Sequence, residues 1–348
     1  MKIIKWVLFI VFVPVVLFGL YIVFLSFTNY SPDEQVVQYE NKLAPKLNDT
    51  LTFSLLTWNI GYAGLDQSMD FFYDGGALVR PSKANSLRNL EGILQTMKKY
   101  HNADFLLLQE VDVRAKRSYR INQYETISHH FPDYSKSMGL NYNVRFVPMP
   151  PTEPLGKVMS GLSIFSKTEP VKSTRYSFPG NYSWPMSMVM LDRCFLVNEY
   201  PLDNGKKLMV INTHNSAYDN GSLRKQQMDF MKSILIDLYN QKNYVIAGGD
   251  WNQCPFEFIP KFENDIFDTI DLIYLDANYP QKDWTWAYDS TIPTNRRVRT
   301  PYSKGKTPCT VIDYFLCSPN IRVEKVNGRM LNFEYSDHQP VEITIKLL

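Results

Sequence analysis

Short apolar runs alternate with polar segments along the whole chain, and most of the runs end in a compact polar motif. Runs of this length read as buried strands. They predict strands over residues 51–59, 104–110, 160–166, 186–200, 207–213, 244–247 and 311–317. Asp203-Asn204-Gly205 is a strong turn signal and joins two of these runs as a strand pair. Ser82 can cap a helix whose Leu87, Leu90, Leu94 and Met97 fall on one face. Leu223, Phe230, Ile234 and Leu238 mark a second helix. In the last strand Val341, Ile343 and Ile345 alternate with Glu342, Thr344 and Lys346, so one face is solvated. Between the first strand and the first helix, residues 61–81 read as a long, glycine-bearing loop. Strands come both as hairpins and separated by helices. That mixture argues for an α/β sandwich with mixed sheets over a simple doubly wound fold.

The N-terminus follows a different pattern. From Trp6 to Phe27 the chain is apolar and carries no charge. As a helix this run would span about 33 Å, against a hydrocarbon core of about 30 Å. Lys2 and Lys5 precede it, and Asp33 and Glu34 follow. The positive-inside rule then puts the N-terminus in the cytoplasm and the remainder outside. A cleaved signal peptide is the alternative. The run is longer than a usual signal core, and Leu25-Ser26-Phe27 is a poor cleavage site. The expected organisation is an anchor over residues 1–28, a polar tether over 29–50 and a catalytic domain over 51–348.

Composition adds limits. The chain has 348 residues, 45% hydrophobic and 21% charged, as ordinary globular enzymes do. Its net charge of +2 gives no support to a protein that coats nucleic acid. No cysteine pair among Cys194, Cys254, Cys309 and Cys317 has zinc-type spacing. Two readings stay open for them: a bridge between Cys254 and Cys309, or four buried free thiols.

Six motifs carry the candidate chemistry: Trp58-Asn59, Gln109-Glu110, Asn212-Thr213-His214, Gly249-Asp250-Trp251-Asn252, Ile312-Asp313 and Ser336-Asp337-His338. A carboxylate, amide or imidazole at a strand end sits at the rim of a core. Gathered together, these rims would form a pocket suited to a hard divalent metal and a phosphate ester. Asp313 interrupts a buried apolar run, which costs stability unless the carboxylate is paired, and His338 is the candidate partner. His214 suits donation to a phosphate oxygen, protonation of a leaving group, or a purely structural role.

In order, these motifs resemble those of the endonuclease/exonuclease/phosphatase superfamily over about residues 51–348. That group includes deoxyribonuclease-I-like nucleases, exonuclease-III-like repair enzymes, neutral sphingomyelinases and inositol-polyphosphate 5-phosphatases. The resemblance implies a four-layered α/β sandwich of two mixed sheets flanked by helices. It also implies hydrolysis of phosphate esters dependent on Mg²⁺, with Mn²⁺ as a substitute. Carried over by motif, Asn59, Glu110 and Asp337 look like metal-site residues. Asp250 resembles the residue that activates water, and Asn252 a phosphate ligand. His338 with Asp313 looks like the pair that stabilises the transition state, and His214 like the second histidine of the nuclease and sphingomyelinase branches. Two departures count against particular branches. Gly61 stands where some repair nucleases carry an acidic residue, and Ile312-Asp313-Tyr314 lacks the 5-phosphatase Cys-Asp-Arg pattern.

For the substrate, Arg297 and Arg299 lie in a basic loop before Asp313. They suit an anionic ligand; a solvated surface loop is the alternative. Trp284 and Trp286 could stack bases, contact lipid or pack in the core. The expected protein is a monomeric, membrane-tethered phosphodiester hydrolase acting outside the cytoplasm on nucleic acid or a phospholipid head group. A catalytically dead phosphate-binding module at the cell surface would show gaps in the motif set, and none is found.

Overall fold

The computed structural model describes residues 2–217, 219, 221–269 and 272–348. In chain order the helices are α1 (Lys2–Thr28), α2 (Lys83–Lys98), α3 (Gln123–His130) and α4 (Ser222–Asn240). The first nine strands are β1 (Gln35–Glu40), β2 (Thr52–Asn59), β3 (Phe105–Asp112), β4 (Ser135–Val147), β5 (Gly156–Ser166), β6 (Lys172–Ser177), β7 (Cys194–Pro201), β8 (Lys207–His214) and β9 (Tyr244–Asp250). They are followed by β10 (Ile266–Phe267), β11 (Thr285–Ala287), β12 (Asn295–Arg296), β13 (Pro308–Thr310), β14 (Asp313–Cys317), β15 (Ile321–Gly328) and β16 (Val341–Leu347).

Among the described residues these strands form two large sheets, β1-β6-β7-β8-β9-β14-β11 and β15-β16-β2-β3-β5-β4, and a small one, β10-β13-β12. Both large sheets are mixed: β8 and β9 are parallel in one, β2 and β3 in the other, and the remaining pairs are antiparallel. The central layer is an apolar core that joins them face to face. Leu55, Leu107 and Ile343 from one sheet pack with Val210, Ile246 and Phe315 from the other. On the outer face of the six-stranded sheet, Trp58, Leu106 and Leu108 meet Leu90, Ile93 and Met97 of α2 and Ile127 of α3. On the outer face of the seven-stranded sheet, Met209, Val245 and Leu316 meet Met228, Met231 and Leu235 of α4. Each central strand is therefore buried on both faces, which is why it reads as a continuous apolar run.

The structure departs from several sequence expectations. The polar tether is not all tether: Gln35–Glu40 pairs antiparallel with β6 as an edge strand. Its mostly exposed side chains hide it from any hydrophobic pattern. The run beginning at Met186 opens as a short 3-10 turn, and the strand starts only at Cys194. In α2, Ser82 does cap the helix by accepting from the Asn85 N–H at 3.1 Å, but Leu87 is exposed and Ile93 takes the buried position. Trp284 and Trp286 belong to the core beside Trp251, Tyr279 and Tyr314. All four cysteines are buried free thiols. Cys254 Sγ lies 3.0 Å from the Thr310 hydroxyl, and Cys309 Sγ points to the Thr307 carbonyl.

A buried amide pair forms one of the polar contacts that cross the largely apolar interface between the sheets. Gln109 Nε2 donates to Asn212 Oδ1 at 2.7 Å and to Thr57 Oγ1 at 3.0 Å. Asn212 Nδ2 donates in turn to the carbonyls of Leu108 at 3.0 Å and Ser163 at 2.9 Å. Both amides are fully buried. Removing one of them strands its partners without water, at about 1–3 kcal/mol for each orphaned group. Asn212→Ala is therefore expected to lower the melting temperature by several degrees, whereas Lys172→Ala, at the start of β6 and away from this amide pair, leaves it unchanged. Thermal melts followed by circular dichroism test this, and an unshifted Asn212→Ala transition would refute the role of the staple.

Candidate active site

The strand register assembles the site. His214 pairs with Asp250 across β8 and β9, and Asp250 pairs with Asp313 across β9 and β14. Three candidate side chains thus stand in one row at the same edge of the seven-stranded sheet. Asn59 pairs with Gln109 across β2 and β3, which brings Glu110 to the matching edge of the other sheet. The β3–β5 ladder slips between Leu108 and Val111, and Glu110 lies within that irregularity with φ +56°. A bulge of this kind re-aims a side chain, here toward the gap between the sheets. Asn252, just past β9, is also left-handed at φ +51°. Both are uncommon conformations for a side-chain-bearing residue, and such strain collects at functional sites.

The contacts are close. His338 Nδ1 lies 2.8 Å from Asp313 Oδ2, and its Nε2 is 3.7 Å from Asp250 Oδ2. The ligand atoms of Asp250, Asp313 and His338 all fall within 4.8 Å of one another. Asn59 Nδ2 donates to Asp250 Oδ2 at 3.0 Å and sits 3.4 Å from Glu110 Oε1, bridging the two sheets. His214 Nε2 is 3.5 Å from Asp250 Oδ2. Asn252 donates through Nδ2 to the Asn215 carbonyl at 2.9 Å, and its backbone N–H reaches Asp250 Oδ1 at 3.0 Å. Asp337 is buried beside Gly61, where an added Cβ would come within 2.8 Å of Asp337 Oδ1.

Electrostatics separate the roles these groups can take. Burial works against a charged His338, but Asp313, Asp250 and Asp337 outweigh it and hold the imidazole well above its ordinary value. His214 is pushed the opposite way, first by burial and then by Arg193, His338 and Arg117, so it is neutral. Burial, aided by Asp313 and opposed by His338, pushes Asp250 up to about 6. Burial, aided by Glu110 and opposed by His338, pushes Asp337 up to about 7.

Sequence reasoning missed three neighbours. Asn295 lies with its Nδ2 atom 2.9 Å from His338 Nε2, held there by a backbone bridge between the two residues. With both ring nitrogens protonated, that amide must turn its oxygen to the ring. Arg193 leads into β7 and is close enough to depress the ionisation of His214. Its sequence signal was the charged pair Asp192-Arg193 between two apolar segments. Arg117 is buried, bonds Asp112 at 2.9 Å, approaches Glu110 Oε2 at 3.9 Å and lies over the Tyr62 ring at 3.7 Å. Asn295 had no signal at all, because its contact joins two irregular segments. Arg297 and Arg299 lie apart from the cluster: Arg297 pairs with Asp268, and Arg299 is exposed beside Gly75.

The donor set is rich in oxygen, crowded with carboxylates and buried, as a hard divalent cation requires. Asp313 Oδ1 is buried without a hydrogen-bond partner among the described residues, and burial is the chief cause that pushes Asp337 up.

No curated protein matches the chain by sequence. Among solved structures it is similar to an endonuclease/exonuclease/phosphatase from Beutenbergia cavernae, at 17% identity and a TM-score of 0.56, over 85% of this chain and 72% of that one. It is similar to ANGEL2, a 2',3'-cyclic phosphatase solved with adenosine-2',3'-vanadate, at 15% identity and a TM-score of 0.56, over 91% and 99%. It is also similar to D. rerio TDP2 in complex with a single-strand DNA product, at 14% identity and a TM-score of 0.52, over 85% and 99%. At these identities the likeness speaks to the fold. The sequence profile of the Endonuclease/Exonuclease/phosphatase family matches residues 56–338, most of the chain and all of the motifs from Trp58 to His338, so this chain belongs to that family.

Proposed function

We propose that this protein is a membrane-anchored, divalent-metal-dependent phosphodiester hydrolase whose catalytic domain lies outside the cytoplasm. One observation carries the reading: the polar ends of β2, β3, β8, β9 and β14, with the Asp337-His338 segment, converge on a single buried pocket. The family's members are in general metal-dependent phosphoester hydrolases. The anchor is supported by Phe9–Thr28, long and apolar enough to cross a membrane at a mean hydropathy of 2.7, and by the lysines that precede it.

Within this reading Glu110 and Asp337 hold the cation, and Asn59 orients Glu110 and Asp250. The bound metal, Mg²⁺ in this proposal, supplies Lewis-acid stabilisation of charge on the phosphoryl oxygens. Asp250 accepts the proton of the attacking water. Its carboxylate, desolvated and pushed up to about 6, is matched to that task near neutral pH. His338, kept cationic by Asp313, offers its Nε2 proton to a phosphoryl oxygen as negative charge builds there. In the resting site that proton faces Asn295, which yields it to substrate. His214, being neutral, donates a hydrogen bond without adding charge. Arg193 grips a non-bridging phosphate oxygen, the task first assigned to Arg297 and Arg299.

Three outcomes test this with the full-length protein in detergent. Asp250→Ala and His338→Ala should each slow hydrolysis of bis-p-nitrophenyl phosphate by about 10²-fold or more in protein that remains folded by circular dichroism, His338→Ala with a lowered melting temperature because Asp313 loses its partner. Unchanged turnover in both would refute the assignment. Chelation should abolish turnover and added Mg²⁺ restore it. Mg²⁺ should also raise the melting temperature of the parent but not of Glu110→Gln/Asp337→Asn; an equal rise in that variant would move the metal elsewhere. Arg193→Ala should raise KM about tenfold, the worth of one charge-assisted hydrogen bond, with kcat little changed. The same effect from Arg297→Ala would return phosphate recognition to the basic loop.

A further inference from the structure

The anchor helix is not a free leash. Its apolar side chains are exposed along most of its length, yet Leu25, close to its end, is only 3% exposed. Nearby, the Tyr21 hydroxyl donates to the Phe146 carbonyl at 2.9 Å, and the two rings meet edge to face at 6.3 Å. One turn further on, Ser26 Oγ lies 3.6 Å from Met188 Sδ. The catalytic domain therefore touches its own anchor from Tyr21 onward. Tyr21, Leu25 and Ser26 all lie in the outer part of the apolar span Phe9–Thr28. In a bilayer crossed by that span, whatever surrounds Phe146 and Met188 would lie at the membrane's outer boundary.

What surrounds them is apolar and unusually exposed. Trp184 is 67% exposed, Met186 52%, Met149 45% and Phe146 39%. The two segments that bear these side chains, residues 146–151 and 178–191, contain no charged residue. On a water-facing surface such a patch is costly, and beside a membrane helix it is the composition of an interfacial rim. The second segment runs directly into Asp192-Arg193. There a cavity of about 360 Å³ is bounded by Ser31 and Pro32, just past the end of the anchor, and by Asn181 and Arg193. Arg193 and Asn181 also line a smaller cavity of about 60 Å³ that reaches Ser216 and Ala217, two and three residues beyond His214. A cavity beginning at the foot of the anchor thus shares its wall with one ending beside the catalytic pocket.

We infer that residues 146–151 and 182–190 form a membrane-docking rim around the anchor, and that the substrate is a phospholipid of the same bilayer, its phosphodiester entering along the cavity that Arg193 lines. This rests on the hydrolase reading above and narrows its substrate to lipid. The base and the imidazolium act as already described: water adds to phosphorus, the bond from phosphorus to the ester oxygen breaks, the proton of the water passes to Asp250, and the departing alkoxide takes a proton from solvent, to which Asp250 later returns its own.

The test uses the full chain reconstituted into vesicles of phosphatidylcholine, phosphatidylglycerol or sphingomyelin. Brominated phosphatidylcholine should quench a tryptophan signal that disappears in Trp184→Phe, which places the rim within the bilayer. Phe146→Ser/Trp184→Ser/Met186→Ser should turn over lipid about tenfold or more slowly than the parent, yet hydrolyse bis-p-nitrophenyl phosphate within about twofold of it, since these residues lie outside the catalytic cluster. An unquenched Trp184 overturns the rim, as does a variant equally impaired on both substrates. A quenched Trp184 in a protein that cuts plasmid DNA or the soluble diester but no lipid overturns the substrate half. A parent inactive on every diester would instead defeat the hydrolase reading, while the quenching result would still decide the rim.

Discussion

Everything at the site depends on holding two sheets in register at one edge. An apolar interface between sheets resists separation but tolerates sliding, because hydrophobic attraction has no direction. The buried amide pair Gln109–Asn212 supplies the missing direction, since a hydrogen bond fixes both distance and angle. Each amide is adjacent to a candidate site residue or to the strand that ends in one: Gln109 precedes Glu110, and Asn212 stands two before His214. Displacing one sheet along the other would break those bonds, at the cost of orphaned buried groups, before it disturbed the pocket. The Asn59–Asp250 bond repeats the arrangement one step nearer the chemistry. A buried polar network of this sort specifies one arrangement out of several that would bury equal apolar area.

Much of this was legible in the sequence, and the legible part has a common cause. Strands buried on both faces leave continuous apolar runs, and the polar residue at the end of each run announces the rim. Asp313 was readable as paired because an isolated buried carboxylate is too costly to keep, and its 2.8 Å contact with His338 follows that expectation. Other elements were invisible for equally physical reasons. β4 carries Ser, Lys, Asn and Arg among its thirteen residues. β1 has a mostly solvated surface and is stabilised by pairing with β6, which local sequence does not encode. Asn295 reaches His338, and Arg193 comes near enough to act on His214, through the closure of the fold. The Arg297–Asp268 pair is likewise a contact between positions far apart in sequence, which no local pattern announces.

The histidines illustrate how one pocket assigns opposite charge states to the same residue type. His338 is raised by three carboxylates; His214, although 3.5 Å from Asp250, is lowered first by burial and then by Arg193, His338 and Arg117. Burial disfavours the cation in both and thereby amplifies whatever charges remain nearby. A single positive imidazole beside a neutral one can polarise a phosphoryl oxygen without repelling its own partner.

Gly61 shows how little room the site has for variation. Its left-handed backbone and missing side chain let Asp337 press against the end of β2. A larger residue there would displace a carboxylate. The acidic capacity of this pocket is therefore limited by volume. An acid at position 61 would enter the pocket only by displacing the Asp337 carboxylate, so the pocket's anionic count would not rise although the chain gained a charge.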